Sequence, residues 1–387
     1  MDFSFYIPTR IIGGAGCVRD NSRVFREMGR RALIITGASS AKKSGALDDV
    51  SDVLDNSKIE YKVFDEIKEN PLLSAVARAG KAARDFKAEY IIAIGGGSVL
   101  DATRAASVFA TNDIDPWEDI YKGAYSTHLP FVCIGTTAGT GSEVDNISVL
   151  TTDATGRKKG IKKDFLFAEY TFCDWRYTVS MSLRQTVSTA LDALCHCFES
   201  WFNTTATEPV VAAARRGSEL IYPWLRKIAL EGVESFDPEN EDMRRDLYHG
   251  SLWGGIAIAH AGTGFPHPAG YELTEKGGVP HGIACAVFET AFLQHTIPHL
   301  SVRDTEMLYN IIGDVDGIKN VIAILCENDI ALSQGMCEAV AARAAGSANM
   351  AKTLGGYTEE KIVQETQKLF LARDTKDDFC GEWKYGQ

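Results

Sequence analysis

Four residues in the second half of the chain carry metal-binding side chains, and two of them stand at a spacing that would let them act together. Asp192 and His196 stand four positions apart in TALDALCHCFES, so on a helix they share one face. His267 and His281 each stand beside proline or glycine in GTGFPHPAGYELTEKGGVPHG. A carboxylate with imidazoles suits first-row divalent metals. By itself the Asp192–His196 pair is more often a helical hydrogen bond, so the metal hypothesis needs the downstream histidines.

The two cysteines beside His196 have the wrong spacing for a zinc site. Cys195 lacks a second thiol at the spacing of a zinc knuckle, and Cys197 lies off the face that Asp192 and His196 share. Both are predicted to be buried, small apolar residues. The other histidines are predicted to be surface or core residues: His128, His249, His260, His295 and His299.

A glycine run follows an apolar strand in YIIAIGGGSVLDATRAA. Three residues without Cβ let backbone N–H groups approach a phosphate, and the helix that follows adds its positive end. The spacing is not that of the G-x-G-x-x-G motif, and a tight strand-to-helix turn explains a single run equally well. The candidate binding residues are Gly95, Gly96, Gly97, Ser98 and Asp101.

A second loop, in CIGTTAGTGSEVD, strengthens the hypothesis of a dinucleotide site. It also ends an apolar strand, and its hydroxyls can bond phosphate, ribose or the nicotinamide amide. Glycine-rich strand ends in open α/β sheets are where ligands bind, so we favour cofactor binding over two surface loops. The candidate residues are Thr136, Thr137, Thr140 and Ser142.

The segment ITGASSAKKSG bears on the choice of dinucleotide. A carboxylate there would pair with a ribose 2′-hydroxyl and repel a 2′-phosphate. The chain instead has Gly37, Ser39 and Ser40, followed by two lysines. This pattern favours NADP over NAD, although a solvated loop with helix-capping serines would look the same.

The elements around these residues change character near residue 180. Up to about residue 175, short β-branched runs such as ALIITG, EYIIAIG and ISVLTT alternate with helical stretches, which is typical of parallel βαβ units. Beyond it the apolar residues recur at the helical period. We predict a Rossmann-like α/β domain over residues 1–180 and an all-α domain over residues 181–387.

Composition narrows the function classes. The 387 residues carry a formal net charge of −12, which argues against a nucleic-acid partner. Nine cysteines without paired spacing indicate a reducing compartment, and no apolar run is long enough for a bilayer. We expect a cytoplasmic protein without a membrane segment.

Four motifs together resemble the iron-containing (group III) alcohol dehydrogenase family: GGGSVLDATRAA, TTAGTGSEV, DALCHCFE and HPAGYELTEKGGVPHG. The resemblance implies the architecture shared with dehydroquinate synthase, a homodimer and one divalent metal, Fe²⁺ or Zn²⁺. It places the metal ligands at Asp192, His196, His267 and His281 and the cofactor on the two glycine loops. It also puts Lys158, in GRKKG, near the nicotinamide.

Two positions depart from the family pattern, and one loop bears on the expected cofactor. Tyr271 stands where many members have a histidine credited with proton transfer, and Arg104 stands where lysine is usual. Proton transfer through water, a ribose hydroxyl or Tyr271 is therefore expected. The GASSAKKSG loop resembles that of NADP-preferring members.

The predicted function is metal-dependent, NAD(P)-linked interconversion of small neutral alcohols and aldehydes. The metal would polarise the substrate oxygen during hydride transfer. Two alternatives remain: a lyase similar to dehydroquinate synthase, which should show basic residues around the metal motifs, and a nucleotide-sensing protein with a vestigial site.

Overall fold

A computed structural model of the chain describes residues 3–370 and 378–386. Their contacts form two compact units. One unit spans residues 6–180, and the other begins at Met181 and includes the segment that ends at Phe5. The ring of Phe5 stacks on His260 with centroids 4.1 Å apart, which ties that segment to the second unit.

The first unit contains eight strands, and six of them form a parallel sheet. Its strands are β1 (Arg10–Gly13), β2 (Arg31–Thr36), β3 (Glu60–Phe64), β4 (Tyr90–Gly95), β5 (Phe131–Gly135), β6 (Ile147–Thr151), β7 (Lys158–Lys162) and β8 (Tyr170–Cys173). Six of them pair in the order β1-β8-β5-β4-β2-β3, and every neighbouring pair is parallel. This confirms the Rossmann-like expectation.

Helices cover both faces of this sheet. They are α1 (Cys17–Asp20), α2 (Ser22–Met28), α3 (Ser40–Lys43), α4 (Ala46–Asn56), α5 (Leu73–Phe86) and α6 (Gly97–Thr111). Successive strand residues point to opposite faces, so Ile34 packs in one apolar cluster and Ile35 in the other. The inner strand β4 is buried along its whole length, which is why its sequence is apolar without alternation.

The sequence pattern predicts that the segment ISVLTT is a strand of the parallel sheet, and this prediction is wrong. It forms β6, which pairs antiparallel with β7 in a separate two-stranded sheet. Ile147 lies opposite Lys162 and Thr151 opposite Lys158. The physical reason is the short connection, since parallel neighbours need a long crossover and antiparallel ones only a turn. That turn contains Gly156 at a φ of 66°.

The second unit is helical. Its helices are α7 (Leu183–Trp201), α8 (Glu208–Glu231), α9 (Glu241–Ala261), α10 (Pro266–Gly277), α11 (His281–Thr296), α12 (Val302–Ile312), α13 (Val315–Leu325), α14 (Gln334–Ala345) and α15 (Glu359–Leu369). A short antiparallel pair, β9 (Ala331–Leu332) with β10 (Phe379–Cys380), is the one sheet of this unit among the described residues. None of the helices in residues 3–370 has the length and apolar character to cross a bilayer.

Candidate metal and cofactor sites

Three helices bring the predicted metal ligands together. Asp192 and His196 lie on α7, His267 lies in the first turn of α10, and His281 is the first residue of α11. Gly282 makes the approach of α11 to α7 feasible, because a Cβ there would lie 1.8 Å from the carbonyl oxygen of Ser188. The close packing of helices therefore places His281 beside Asp192.

One carboxylate oxygen is the centre of the arrangement. Asp192 Oδ1 lies 3.5 Å from His267 Nε2, 3.8 Å from His196 Nε2 and 3.9 Å from His281 Nε2. Asp192, His196 and His267 are each no more than 5% exposed. The structure thus places the three ring nitrogens around one carboxylate oxygen, with the side chain of His281 still 27% exposed. His196 is outside the set of ligand atoms that all lie within 4.8 Å of one another.

Two of these atoms support the presence of an ion. Asp192 Oδ1 and His267 Nε2 are buried and have no hydrogen-bond partner among the described residues. Burying a polar atom without a partner is costly, typically about 1–3 kcal/mol. A divalent cation coordinated by both atoms would remove that cost, and one carboxylate with three imidazoles is a donor set that such cations accept. The residues present therefore fit the group.

The carboxylates and imidazoles of the site favour one another's charged forms. Burial opposes ionisation of Asp192, but His196, His267 and His281 hold the pKa of that carboxyl well below its usual range. Burial likewise opposes a charge on His267, yet Glu199 and Asp192 raise the pKa of His267 to about 10. The carboxylates around His267 thus give the site a local preference for positive charge.

Cys285 is a residue of the site that the sequence analysis missed. One ligand atom from each of Asp192, His267, His281 and Cys285 lies within 4.8 Å of the others. Cys285 Sγ is 3.8 Å from both ring nitrogens of His281. The signal was available, because Cys285 follows His281 by four positions and so shares its helix face.

Cys195 and Cys197 lie away from these ligands. Both are buried, at 1% and 0% exposure. Cys197 packs where α7 meets two glycines, since Cβ atoms on Gly217 and Gly254 would lie 2.5 and 3.3 Å from its sulfur. Cys195 belongs to a second buried group with Glu199 and Glu289.

Tyr271 lies one helical turn after His267 and contacts the site through its ring. The ring stacks on His281 with centroids 5.4 Å apart and planes 9° apart. The guanidinium of Arg343 lies 5.6 Å from the same ring. Burial raises the pKa of Tyr271 well above its usual range, so the hydroxyl keeps its proton.

The two glycine loops lie side by side in the first unit. They follow β4 and β5, which are adjacent, and Gly95 pairs with Gly135 in register. A Cβ on Gly96 would lie 2.9 Å from Thr137, and one on Gly97 would lie 2.5 Å from Thr140. The glycines are therefore required for the loops to approach each other, which leaves a backbone surface at the carboxyl ends of the strands.

The polar side chains of these loops divide into two sets. Thr136 Oγ1 is buried and lacks a hydrogen-bond partner among the described residues. Asp101 and Ser142 instead bond each other at 2.7 Å, and the second oxygen of Asp101 accepts from the backbone N–H of Val149 at 2.9 Å. These internal bonds hold the second loop, whereas Thr136 retains capacity for a ligand.

The remaining candidates lie in the same unit. Gly37 directly follows β2, and Ser39 and Ser40 lie at the start of α3. Lys42, two residues further, is 60% exposed with its ammonium 3.8 Å from Asp65. Lys158 is the first residue of β7.

The sequence matches two protein-family models, one in each compact unit. Residues 8–175 match the model described as "Iron-containing alcohol dehydrogenase", and residues 186–362 match "Fe-containing alcohol dehydrogenase family, C-terminal". The chain belongs to the iron-containing alcohol dehydrogenase family. The resemblance carried by the four motifs is confirmed.

Individual proteins are similar to this chain over most of its length. The sulfoacetaldehyde reductase of Bilophila wadsworthia is 30% identical over 76% of this chain and 75% of its own. The NADPH-dependent aldehyde reductase YqhD of Escherichia coli is 30% identical over 74% of each chain. The crystal structure of an iron-containing alcohol dehydrogenase from Thermotoga maritima is 32% identical, with a TM-score of 0.85 over 96% of this chain and 100% of that one.

The family places the chain among NAD(P)-linked alcohol dehydrogenases and aldehyde reductases. It is an enzyme of the iron type within that class. The alternatives of a lyase and of a nucleotide sensor gain no support from these matches.

Proposed function

We propose that this enzyme interconverts small neutral alcohols and aldehydes with a divalent metal held by Asp192, His196, His267 and His281. The observation that carries the proposal is the convergence of three Nε2 atoms within 3.9 Å of Asp192 Oδ1. When bound, such an ion supplies Lewis-acid polarisation of the substrate oxygen, and the dinucleotide supplies or accepts the hydride.

The chain's own residues bind and orient these groups. Asp192 contributes negative charge to a cation site that is otherwise formed by neutral donors. The buried walls of the site exclude water, which strengthens each electrostatic contact inside it. For the proton that accompanies hydride transfer, we propose the hydroxyl of Tyr271 as the donor or acceptor, since its ring stacks on the proposed metal ligand His281.

The two compact units have separate roles in this proposal. The unit of residues 6–180 binds the dinucleotide, with the backbone of Gly95–Gly97 and the side chains of Ser98, Thr136, Thr137 and Thr140 in contact with it. Asp101 and Ser142 position the second loop, and Lys158 lies towards the nicotinamide. Residues 181–387 hold the metal. The orphaned hydroxyl of Thr136 supports the first assignment.

NADP is the proposed dinucleotide. Gly37, Ser39 and Ser40 put no carboxylate where one would repel a 2′-phosphate, and Lys42 adds an exposed cation nearby. The Escherichia coli relative is named for NADPH dependence. For the metal we propose Fe²⁺ or Zn²⁺, because the donor set accepts both.

We further propose a cytoplasmic homodimer. All nine cysteines are free thiols, in keeping with a reducing compartment. Strand β1 is an edge of the six-stranded sheet, and Ile11 on it is 43% exposed. An exposed edge strand can pair with the same strand of a second copy. Light scattering of the purified protein will measure its molar mass and so test for a dimer.

The experiment compares wild type with His267→Ala, and uses His299→Ala as a control at an exposed histidine of the same unit. Each protein is purified anaerobically and assayed for metal content and for aldehyde-dependent NADPH oxidation. Wild type and His299→Ala are expected to carry about one ion per chain and to be active, while His267→Ala loses both. A metal-loaded wild type that reduces no aldehyde with either nicotinamide cofactor would show the proposal to be wrong.

The substrate class has its own test. A short unbranched aldehyde and sulfoacetaldehyde are compared by kcat/KM, because the Bilophila wadsworthia relative is named for the latter. The guanidinium of Arg343, close to Tyr271, is already 3.6 Å from Glu275, which supports a neutral substrate. A clear preference for the sulfonate would contradict that part of the proposal.

A further inference from the structure

Glu199 lies behind the proposed metal ligand His267. It is on α7, seven residues after Asp192 and therefore on the same face, and it is 0% exposed. Its Oε1 is 2.5 Å from His267 Nδ1, and its Oε2 accepts the backbone N–H of Gly264 at 2.8 Å and of His267 at 3.4 Å. Both carboxylate oxygens thus contact the segment that carries this histidine.

The direction of the hydrogen bond determines the tautomer of His267. A metal ligand must be the neutral imidazole, which has one proton, and because a carboxylate accepts hydrogen bonds and does not donate them, that proton lies on Nδ1. The lone pair is then on Nε2, the atom that faces Asp192 Oδ1 at 3.5 Å without a hydrogen-bond partner in the described part of the chain. The backbone bonds to Gly264 and His267 also fix the start of α10.

We propose that Glu199 is a positioning residue, which holds His267 in the tautomer and orientation that a metal ion at Asp192 requires. This inference rests on the proposed metal site and adds a residue that contacts neither the ion nor the substrate. Carboxylates that hydrogen-bond a ligating histidine raise its basicity, and their removal typically weakens metal binding by about 10–100-fold.

Glu289 offers a matched control in the same buried group. It lies with Glu199 and Cys195, and its carboxylate oxygens have no hydrogen-bond partner among residues 3–370 and 378–386. Glu289→Gln therefore removes an acid from the same surroundings without removing a bond to His267. A purely structural requirement for buried acids here would affect both variants alike.

The test measures the affinity of the full-length protein for Zn²⁺ by competition with a chelator, for wild type, Glu199→Gln and Glu289→Gln. The visible absorption of the Co²⁺-loaded proteins reports the geometry of the site. Apo proteins are first compared by circular dichroism to establish that they are folded. Glu199→Gln is expected to bind Zn²⁺ roughly 10–100-fold more weakly with an altered Co²⁺ spectrum. Glu289→Gln is expected to stay within about threefold of wild type.

The outcomes separate this inference from the proposed function. A wild type that binds no ion would refute the metal site itself, whereas equal affinities of wild type and Glu199→Gln would refute only the role of Glu199. Two ions in wild type and one in Glu199→Gln would make Glu199 a ligand of a second site, which also overturns the inference. Should Glu199→Gln fail to fold, ¹⁵N-histidine spectra of Zn²⁺-loaded wild type decide, because a proton on His267 Nδ1 that is bonded to a carboxylate resonates far downfield. An ordinary shift of that proton would refute the role of Glu199.

Discussion

Arg104 lies wholly buried against Ser142, and donates to its carbonyl oxygen at 2.7 Å and to its hydroxyl at 3.1 Å. The same guanidinium is 3.4 Å from the carboxylate of Asp101 and 3.2 Å from that of Asp145. It also donates to the carbonyl oxygen of Leu166 at 2.9 Å. One cation on α6 thus joins the second glycine loop to the helix that follows the first.

Replacing Arg104 by methionine should therefore destabilise the α/β unit and weaken dinucleotide binding. Removing one partner of a buried ion pair leaves its carboxylates uncompensated, at a cost of about 3 kcal/mol. Urea unfolding and NADPH fluorescence titration measure the two effects. Arg78→Met is the control, because its exposed pair with Glu66 should contribute less than about 1 kcal/mol. Equal effects of the two variants would contradict a special role for Arg104.

Gly97→Ala should reduce NADPH affinity by roughly tenfold, or about 1.4 kcal/mol. The new Cβ would lie 2.5 Å from Thr140, so the second loop must move away from the first. Gly160→Ala is the control, because its nearest neighbour would be the Ser148 carbonyl oxygen at an ordinary 3.7 Å. Fluorescence titration of both variants measures the difference. The Zn²⁺ affinity of Gly97→Ala should match that of wild type, and an unchanged NADPH affinity would argue against phosphate binding at this loop.

Tyr271→Phe should lower kcat by about 10²-fold or more while metal content stays the same. Phenylalanine keeps the ring that stacks on His281 but loses the hydroxyl proposed to transfer the proton. Steady-state kinetics with metal analysis measure both quantities. A change in kcat below about threefold would place the proton route elsewhere, in water or a cofactor hydroxyl.

Cys285 should not coordinate the metal, although it lies close to the ligands. Its sulfur lies 3.8 Å from both ring nitrogens of His281, but Asp192 and the three imidazoles already supply four donors to one ion, so no thiolate is needed. Co²⁺-loaded wild type is expected to lack thiolate-to-metal charge-transfer absorption in the near ultraviolet. Cys285→Ala should retain Co²⁺ affinity. An absorption band that this substitution abolishes would make the thiolate a ligand in place of an imidazole.

Glu169 should make the fold more stable at mildly acidic than at neutral pH. Burial raises the pKa of Glu169 from 4.5 to about 6, although the backbone N–H of Phe131, 2.6 Å from its Oε2, partly opposes that shift. A folded-state pKa above the unfolded value means that ionisation costs stability, so stability is lost as the pH rises from about 4.5 through 6. Glu169→Gln keeps the acceptor without the charge. Wild type should lose about 1–2 kcal/mol relative to this variant between pH 4 and pH 7 in urea unfolding. Parallel pH profiles would contradict this.

Short sequence patterns were sufficient to predict those features that depend only on residues close together in the chain. The four-residue separation of Asp192 and His196 puts both on one helix face, whatever the fold around them. The glycine runs after YIIAI and FVCI mark two strand ends, and helical periodicity after residue 180 marks the second unit. Each rests on a short stretch of chain that carries its own signal.

Only the tertiary structure decided which distant groups meet. His267 and Glu199 are 68 positions apart, and Arg104 and Ser142 are 38 apart, so no periodicity relates them. The sequence makes Asp101 and Ser142 candidates for ligand contact, but it does not show that the two side chains also bond each other across the two loops. Likewise β6 turned back on β7 because its connection is short, despite a strand pattern like that of its parallel neighbours. Burial and hydrogen-bond pairing depend on what the folded chain brings alongside each residue, which a strand or helix pattern alone does not specify.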